Sequence, residues 1–284
     1  MLKNMPEQGQ KWSALKTEMV SRGGGDAKWR EGKTAVYVFN AGEDVARVQK
    51  EAYALYMSEN GLGPAAFPSL KQMEDEVIGM GLSLLHAPET ASGSITSGGT
   101  DSITMAIKAA RDYHRSTHHT SATQTLNIVA PFSAHPAFDK AAKMMDLELR
   151  RIPCGQNLLA DPTAMSAAID VNTMMIVGSA PCFPYGLIDP IAALGQIAER
   201  ENKWLHVDAC VGGYIAPFVR MNGADIAPFD FEVPGVTSMS ADLHKYGYCA
   251  KGASSVLFRS EDLMAHMIFD CDGWPGGRMI TPTL

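Results

Sequence analysis

The segment Trp204-Leu-His-Val-Asp208-Ala-Cys-Val-Gly-Gly213 decides the fold class. Its first four residues have the length and composition of a buried strand, and an acidic residue follows where the strand ends. Upstream, the pair Asp189-Pro190 places an acid before a proline, which predicts that Asp189 caps a helix. A helix that leads into a buried strand is the unit from which α/β folds are built.

The same alternation extends along the chain on both sides of this segment. Helix starts are predicted at His135-Pro136 and at Asp161-Pro162. Repeated strands and helices predict an α/β fold, a mostly parallel sheet with helices on both faces, which binds ligands at the carboxyl ends of its strands. The other apolar runs that predict strands are residues 126–130, 174–178, 236–239 and 254–258.

The N-terminal part differs from the rest in composition. Residues 1–34 are polar and rich in glycine, and we expect an arm or linker there. Residues 44–60 and 70–86 show helical spacing, with a Gly- and Pro-rich loop between them. We therefore predict an N-terminal arm and helix over residues 1–60 and a large domain over residues 61–284.

Composition and charge exclude several classes of function. The 284 residues carry a net charge of -7, without the basic stripe that nucleic-acid binding requires. The five cysteines have no CxxC spacing, so we expect neither a disulfide framework nor a metal site. We find no apolar secretory segment and no run of about 18 apolar residues that could span a membrane. We expect a soluble cytoplasmic protein.

The turn Ser97-Gly-Gly-Thr100-Asp-Ser102 precedes a stretch with helical spacing. Small residues before a helix leave backbone N–H groups free, and the positive end of the helix dipole favours an anion. The turn is therefore a candidate phosphate site. The alternative is a tight turn in which Thr100 caps the helix.

Two strand ends carry charged residues suited to carbanion chemistry. Asp208 follows a buried strand, where a carboxylate needs a cationic partner such as a protonated pyridine nitrogen. The alternative is a cap on the next turn. Lys245, in Ser240-Ala-Asp-Leu-His-Lys, follows another strand, and apolar surroundings there would lower its pKa and leave the neutral amine that a Schiff base requires. The alternative is a surface lysine before a hairpin.

His135 follows the strand predicted at residues 126–130. An imidazole at a strand end can stack on an aromatic cofactor or carry a proton, and the alternative is a cap on the following helix. The phosphate turn, His135, Asp208 and Lys245 follow one another at strand ends over one alternating region. Together they are the parts that a site for pyridoxal 5'-phosphate (PLP) needs.

These segments resemble the PLP-dependent group II decarboxylase superfamily, of the aspartate aminotransferase fold (fold type I). The resemblance covers about residues 34–284, and within the superfamily the chain is most similar to the sphingosine-1-phosphate lyases. The segments that carry it include Phe67-Pro-Ser, Thr96-Ser-Gly-Gly-Thr-Asp-Ser-Ile, Ile128-Val-Ala-Pro, Ser133-Ala-His, Gly186-Leu-Ile-Asp-Pro, His206-Val-Asp-Ala-Cys-Val-Gly-Gly and Gly235-Val-Thr-Ser-Met-Ser-Ala-Asp-Leu-His-Lys-Tyr-Gly-Tyr.

The resemblance implies roles for individual residues. Lys245 would form the Schiff base with PLP, Asp208 would pair with the pyridine nitrogen, and His135 would lie over the ring. Gly99 and Thr100 would contact the phosphate group. The further cofactor and pocket residues that it implies are Ser240, His244, Cys210 and Lys251.

Departures from the lyase pattern fall on the substrate side. The lyases carry Asn-Pro-Leu-His where this chain has Asn60-Gly-Leu-Gly63, and Pro-His-Gly where it has Pro184-Tyr185-Gly186. Near the end, Met279 stands where the lyases have tyrosine. Asn60 and Tyr185 are therefore the candidate substrate residues.

The resemblance implies a lyase that breaks the Cα–Cβ bond of a 2-amino-3-hydroxy substrate in a retro-aldol step. Lys245, His135 or Lys251 would move the protons. A PLP-dependent amino-acid decarboxylase is the first alternative. In the family, a Gly-Ser-Arg-type phosphate contact and a C-terminal small domain follow the point at which this chain stops. An inactive truncated remnant is therefore the second alternative. The partners implied are a small-molecule amine substrate and a second copy in a homodimer.

Overall fold

The chain forms two compact units, one that ends at Asn40 and one that begins at Ala41. The N-terminal unit contains helix α1 (Trp12–Arg22) and two short 3-10 turns, and no residue of α1 is buried. The polar composition did not predict this helix, and the domain boundary expected at residue 60 stays a prediction. The computed structural model describes residues 4–34, 37–118, 121 and 123–283.

The second unit is built on a mixed β-sheet. Its strands are β1 (Ser92–Thr96), β2 (Asn127–Pro131), β3 (Glu148–Ile152), β4 (Thr173–Ser179), β5 (Trp204–Asp208), β6 (Val236–Ala241) and β7 (Ser254–Phe258). The strand order is β1-β7-β6-β5-β4-β2-β3, and β7 runs antiparallel to both its neighbours while the other pairs are parallel. A separate ribbon pairs β8 (Phe269–Cys271) with β9 (Met279–Thr281).

Helices cover both faces of the sheet. They are α3 (Pro68–Leu84), α4 (Gly99–His118), α5 (Ala137–Met144), α6 (Pro162–Ala167), α7 (Ile191–Glu201), α8 (Ala216–Met221) and α9 (Glu261–Ala265), whereas α2 (Glu43–Leu55) has no buried residue. Side chains alternate across a strand, so Ile128 packs in one core with α4 and α5, whereas Val129 packs in a second core with α3 and α7. All seven residues of β4 are buried. The predicted α/β fold class is confirmed.

The register of the sheet brings several strand ends together. Ser179 of β4 lies opposite Asp208 of β5, and Asp208 lies opposite Ser240 of β6. Ala241 of β6 lies opposite Ser255 of the antiparallel β7. The carboxyl ends of three strands therefore meet the amino end of a fourth, at the edge where parallel sheets bind ligands.

The expected helix cap at Asp189 is wrong. Helix α7 begins at Ile191 after Pro190, without a side-chain cap. The buried carboxylate of Asp189 instead accepts the backbone N–H of Ala160 and of Ser179, each at 2.8 Å. It joins β4 to the loop before α6, because two buried N–H groups there need an acceptor.

Candidate active site

The carboxyl end of β5 presents Asp208. The carboxylate is buried, with 7% exposure, and its Oδ1 accepts the backbone N–H of Cys210 at 3.1 Å and the hydroxyl of Ser240 at 3.3 Å. The turn-capping role that the sequence left open is therefore real. The same two bonds also fix the carboxylate in place, so the cap and a cofactor partner are compatible roles.

A chain of hydrogen bonds reaches Asp208 from inside the sheet. The indole N–H of Trp204 donates to Ser238 Oγ at 2.7 Å, and Ser238 Oγ lies 2.8 Å from His206 Nδ1. His206 Nε2 lies 3.3 Å from Ser240 Oγ. Because indole can only donate and a carboxylate can only accept, the proton order runs from Trp204 through both serines and His206 to Asp208.

His206 belongs to this chain of bonds, and the sequence reasoning did not single it out. The side chain is wholly buried, and burial lowers the pKa of the imidazole to about 4. A neutral imidazole has one donor and one acceptor nitrogen, as the proton order requires. A histidine two residues before a strand-end aspartate, and so on the same strand face, was the available signal.

Lys245 lies in the loop after β6, against a buried acid. Its Nζ is 2.8 Å from Asp242 Oδ2, and Ser254 Oγ donates to Asp242 Oδ1 at 2.5 Å. His244 Nε2 is 3.7 Å from Asp242 Oδ2. The sequence reasoning missed Asp242, although an acid three residues before the lysine of Ser240-Ala-Asp-Leu-His-Lys was a readable signal.

The ionisation of Lys245 differs from the sequence expectation. Burial by itself lowers the pKa of Lys245, but Cys210 and Asp242, the second of which is in direct contact, act against burial together with Asp208 and hold the pKa above its ordinary value. The expectation of a lowered pKa is therefore wrong for this structure. The end of β6 is not apolar, because the Asp242 carboxylate contacts the amine of Lys245.

The Gly-rich turn packs directly against these residues. A Cβ on Gly99 would lie 2.8 Å from Cys210 Sγ and 2.9 Å from both carboxylate oxygens of Asp242. A Cβ on Gly98, which has φ +157°, would lie 3.8 Å from His244 Cε1. Glycine is required at position 99 because the backbone there approaches Cys210 and Asp242 closely. The turn, the end of β5 and the loop of Lys245 thus form one cluster.

Three further candidate residues were predicted from the sequence. Thr100 stands in the first turn of α4, where its carbonyl accepts the Thr104 hydroxyl at 2.7 Å. Lys251 Nζ donates to the carbonyl of His244 at 3.4 Å, and burial together with the charge of Lys245 lowers its pKa. His135 is exposed.

The side chain of His135 contacts the start of helix α5, whose N-cap residue is Pro136. Its Nδ1 accepts the backbone N–H of Ala137, the first residue of α5, at 3.1 Å, so the imidazole bonds to the helix start although His135 is not the N-cap residue. The loop that ends at His135 is tied to β3 by Arg151, whose guanidinium donates to the carbonyls of Ala134 at 2.7 Å and of Phe132 at 3.1 Å. The bonded Nδ1 leaves Nε2 as the protonated nitrogen of the neutral ring.

The two candidate substrate residues lie outside this hydrogen-bonded cluster. Asn60 is exposed, and its side-chain oxygen accepts the backbone N–H of Leu62 at 2.8 Å. Tyr185 is exposed in the loop after β4. Across the residues that the structure describes, no hydrogen bond or ion pair joins either of them to Lys245.

The residues present fit PLP. Among the described residues, His244 Nδ1 is a buried nitrogen without a hydrogen-bond partner, and it lies beside the glycine turn at the start of α4. A phosphate group would satisfy both the imidazole nitrogen and the helix N-terminus. Lys245 would supply an amine for the cofactor's aldehyde, and Asp208 would supply a fixed carboxylate for its ring nitrogen.

Two general properties of the described chain accompany this site. Over residues 4–34, 37–118, 121 and 123–283, none of the helices combines the length and the hydrophobicity that a membrane crossing requires. The same residues contain no cluster of three or more His, Cys, Asp or Glu suited to a metal ion.

Comparison with known proteins agrees with the geometry. Residues 24–272 match the family described as the pyridoxal-dependent decarboxylase conserved domain. The sphingosine-1-phosphate lyase of Oryza sativa subsp. japonica is 42% identical over 268 residues, which cover 91% of this chain and 49% of that protein. The Dictyostelium discoideum enzyme of the same name is 41% identical over 260 residues, with 91% and 48% covered. The chain thus spans about half the length of these curated relatives.

Solved structures confirm the fold type. The sphingosine-1-phosphate lyase of Burkholderia pseudomallei K96243 matches with a TM-score of 0.95 and 36% identity, covering 100% of this chain and 66% of that one. Glutamate decarboxylase from Lactobacillus brevis matches with a TM-score of 0.82 and 20% identity, covering 99% and 65%, which shows a shared fold. The predicted fold type I, superfamily and PLP-dependent class are confirmed, and the chain belongs to the pyridoxal-dependent decarboxylase family.

Proposed function

We propose that this chain is the cofactor-binding part of a PLP-dependent lyase that breaks the Cα–Cβ bond of a 2-amino-3-hydroxy substrate. The observation that carries the proposal is the joining of Lys245, Asp208 and the Gly98–Gly99 turn at one edge of the sheet. Relatives at about 40% identity, named sphingosine-1-phosphate lyases, support the lyase reaction over the decarboxylase reaction. They point to a phosphorylated long-chain amino alcohol as the substrate class.

PLP, when bound, supplies the electron sink for carbanion chemistry. Asp208 would hold a proton on the ring nitrogen, and its bonds to Ser240 and the Cys210 N–H keep the carboxylate in one orientation. Lys245 Nζ would take the proton of the reacting hydroxyl and deliver it to the Cα from which the bond is broken. Lys251, whose pKa is lowered by burial and by the charge of Lys245, is the second candidate base.

The decarboxylase reaction is the alternative. It releases carbon dioxide from a substrate carboxylate, which calls for a cation such as arginine beside that carboxylate. The glutamate decarboxylase structure that matches this chain at 20% identity supports the fold and not the reaction. A homodimer, which rests on the resemblance alone, and a cytoplasmic location, which rests on the composition of the sequence, are further proposals.

Absorbance spectroscopy tests the cofactor part of the proposal. Purified protein mixed with PLP is expected to gain a visible band that is absent in Lys245→Ala and retained in Lys143→Ala, an exposed lysine on α5. A wild-type protein that gains no band would contradict the proposal and favour the inactive remnant.

Product analysis separates the two reactions. The PLP-loaded protein is incubated with sphingosine 1-phosphate and with a panel of amino acids. We expect release of a long-chain aldehyde from the former. Carbon dioxide from an amino acid, without any aldehyde, would instead favour the decarboxylase.

A further inference from the structure

Asp242 forms a buried ion pair with Lys245 in the structure. We propose that Asp242 is the counter-ion that holds the free Lys245 side chain as an ammonium, and that breaking this ion pair limits how fast the protein takes up PLP. The proposal rests on the proposed role of Lys245 as the lysine that binds PLP. It concerns a residue that the sequence pattern did not single out.

The carboxyl group of Asp242 lies between two donors. Its side chain is 2% exposed, and Oδ2 lies 2.8 Å from Lys245 Nζ. Ser254 Oγ donates to Oδ1 at 2.5 Å and lies 2.8 Å from Ser102 Oγ, which lies 2.6 Å from Thr96 Oγ1. A buried carboxylate that receives a hydroxyl on one oxygen and an ammonium on the other gains charge-assisted bonds on both sides.

Other titratable groups face Lys245, and none of them replaces Asp242. From the end of β5 and the turn after it come Asp208 and Cys210, and from the loop after β6 come His244 and Lys251. Burial raises the pKa of the Cys210 thiol well above its ordinary value, and burial lowers the pKa of His244, so both are uncharged near neutral pH. Lys251 repels the ammonium, and Asp208 is held by Cys210 N–H and a serine hydroxyl.

The ion pair affects the step that joins the lysine to an aldehyde. In that step an unprotonated Nζ adds to the carbonyl carbon, a carbon–nitrogen double bond forms, and the carbonyl oxygen leaves as water. An ammonium has no lone pair, so it must first release a proton to the solvent or to the Asp242 carboxylate. No oxidant or reductant takes part. Any interaction that stabilises the ammonium therefore lowers the fraction of lysine that can react.

Competitive acylation of the cofactor-free protein tests the ion pair directly. Wild type, Asp242→Asn and Asp225→Asn are treated with acetic anhydride from pH 6 to 11, and acetylation of the Lys245 peptide is quantified by mass spectrometry. Asparagine keeps the shape and the acceptor for Ser254, while Asp225 is an exposed acid that matches the change in net charge. Losing a charge-assisted contact should lower the Lys245 midpoint by about one pH unit in Asp242→Asn, which is about tenfold more acetylation below the midpoint. Asp225→Asn should match wild type.

Asp242→Glu separates charge from packing. It keeps a negative charge on a longer side chain, so its Lys245 midpoint should stay above that of Asp242→Asn. A glutamate variant that shifts as far as the asparagine variant would show a packing effect and overturn the proposal. An unchanged midpoint in Asp242→Asn would overturn it as well.

Stopped-flow absorbance then measures PLP uptake at pH 7.5. We expect the second-order rate in Asp242→Asn to be about tenfold higher than in wild type, in line with the larger unprotonated fraction. A rate equal to or below that of wild type would contradict the counter-ion role. If wild type gains no band at all, the proposed function fails, whereas the acylation experiment still decides whether Asp242 holds Lys245 as an ammonium.

Discussion

Replacing Ser240 with alanine tests the chain of hydrogen bonds that ends at Asp208. The Ser240 hydroxyl donates to Asp208 Oδ1 at 3.3 Å and lies 3.3 Å from His206 Nε2, and both serine and histidine are fully buried. The variant loses one hydrogen bond to a carboxylate, worth about 1–2 kcal/mol, and leaves a buried imidazole N–H unpaired, which costs about 1–3 kcal/mol. We expect the free energy of unfolding to fall by about 3 kcal/mol.

Urea unfolding followed by circular dichroism measures this change. Ser116→Ala is the matched control, because Ser116 is exposed and its hydroxyl donates to the carbonyl of Tyr113; its effect should stay within about 0.5 kcal/mol. Ser240→Ala should also bind PLP more weakly in an absorbance titration, since Asp208 loses one of the bonds that orient it. If Ser240→Ala lowers the free energy of unfolding by less than about 1 kcal/mol, the reasoning is refuted, because removing a hydroxyl from a connected buried network should cost more than that.

Three further predictions follow from the same structure. Gly99→Ala places a methyl group 2.8 Å from Cys210 Sγ, so the dissociation constant for PLP should rise at least about tenfold in an absorbance titration; an unchanged constant would contradict the close approach. Arg151→Ala removes the bonds that tie the His135 loop to β3, so amide hydrogen exchange of residues 132–135 should become faster, and equal exchange would show that other contacts hold the loop. Because burial lowers the pKa of His206 from 6.5 to about 4, its contribution of about 3 kcal/mol is present above pH 6.5 and is lost as the pH falls towards 4. Urea titrations at pH 7 and pH 4.5 of wild type and His206→Gln measure it, and equal pH dependence in both proteins would contradict the assignment.

The sequence predicted the elements whose residues satisfy a local rule. The strands β5 and β7 lie where the apolar runs predicted them, because strands that are buried on both faces are rich in apolar residues. Strand β1 was missed since its sequence, Ser92-Gly-Ser-Ile-Thr, has no apolar run, and β3 was missed since its Arg150 and Arg151 lie at the edge of the sheet. Pairing with a neighbour, which no local pattern shows, makes both segments strands.

The site was predictable in its outline and not in its partners. The glycine turn, Asp208 and Lys245 could be found because each follows a strand, and parallel strands end at one edge. The roles of Asp242 and His206 depend on hydrogen bonds to side chains of neighbouring strands. The local sequence around a residue does not show which side chains of other strands will contact it. The raised pKa of Lys245 was not predicted for the same reason, because the local sequence does not show that the Asp242 carboxylate contacts its amine.

The most direct test of the account is to find which lysine takes PLP. The protein is incubated with PLP, reduced with sodium borohydride to fix the carbon–nitrogen bond, digested and analysed by tandem mass spectrometry. The account predicts one predominant adduct, on the peptide that contains Lys245, and its loss in Lys245→Ala. A predominant adduct on Lys251 or another lysine, or no adduct at all, would contradict it.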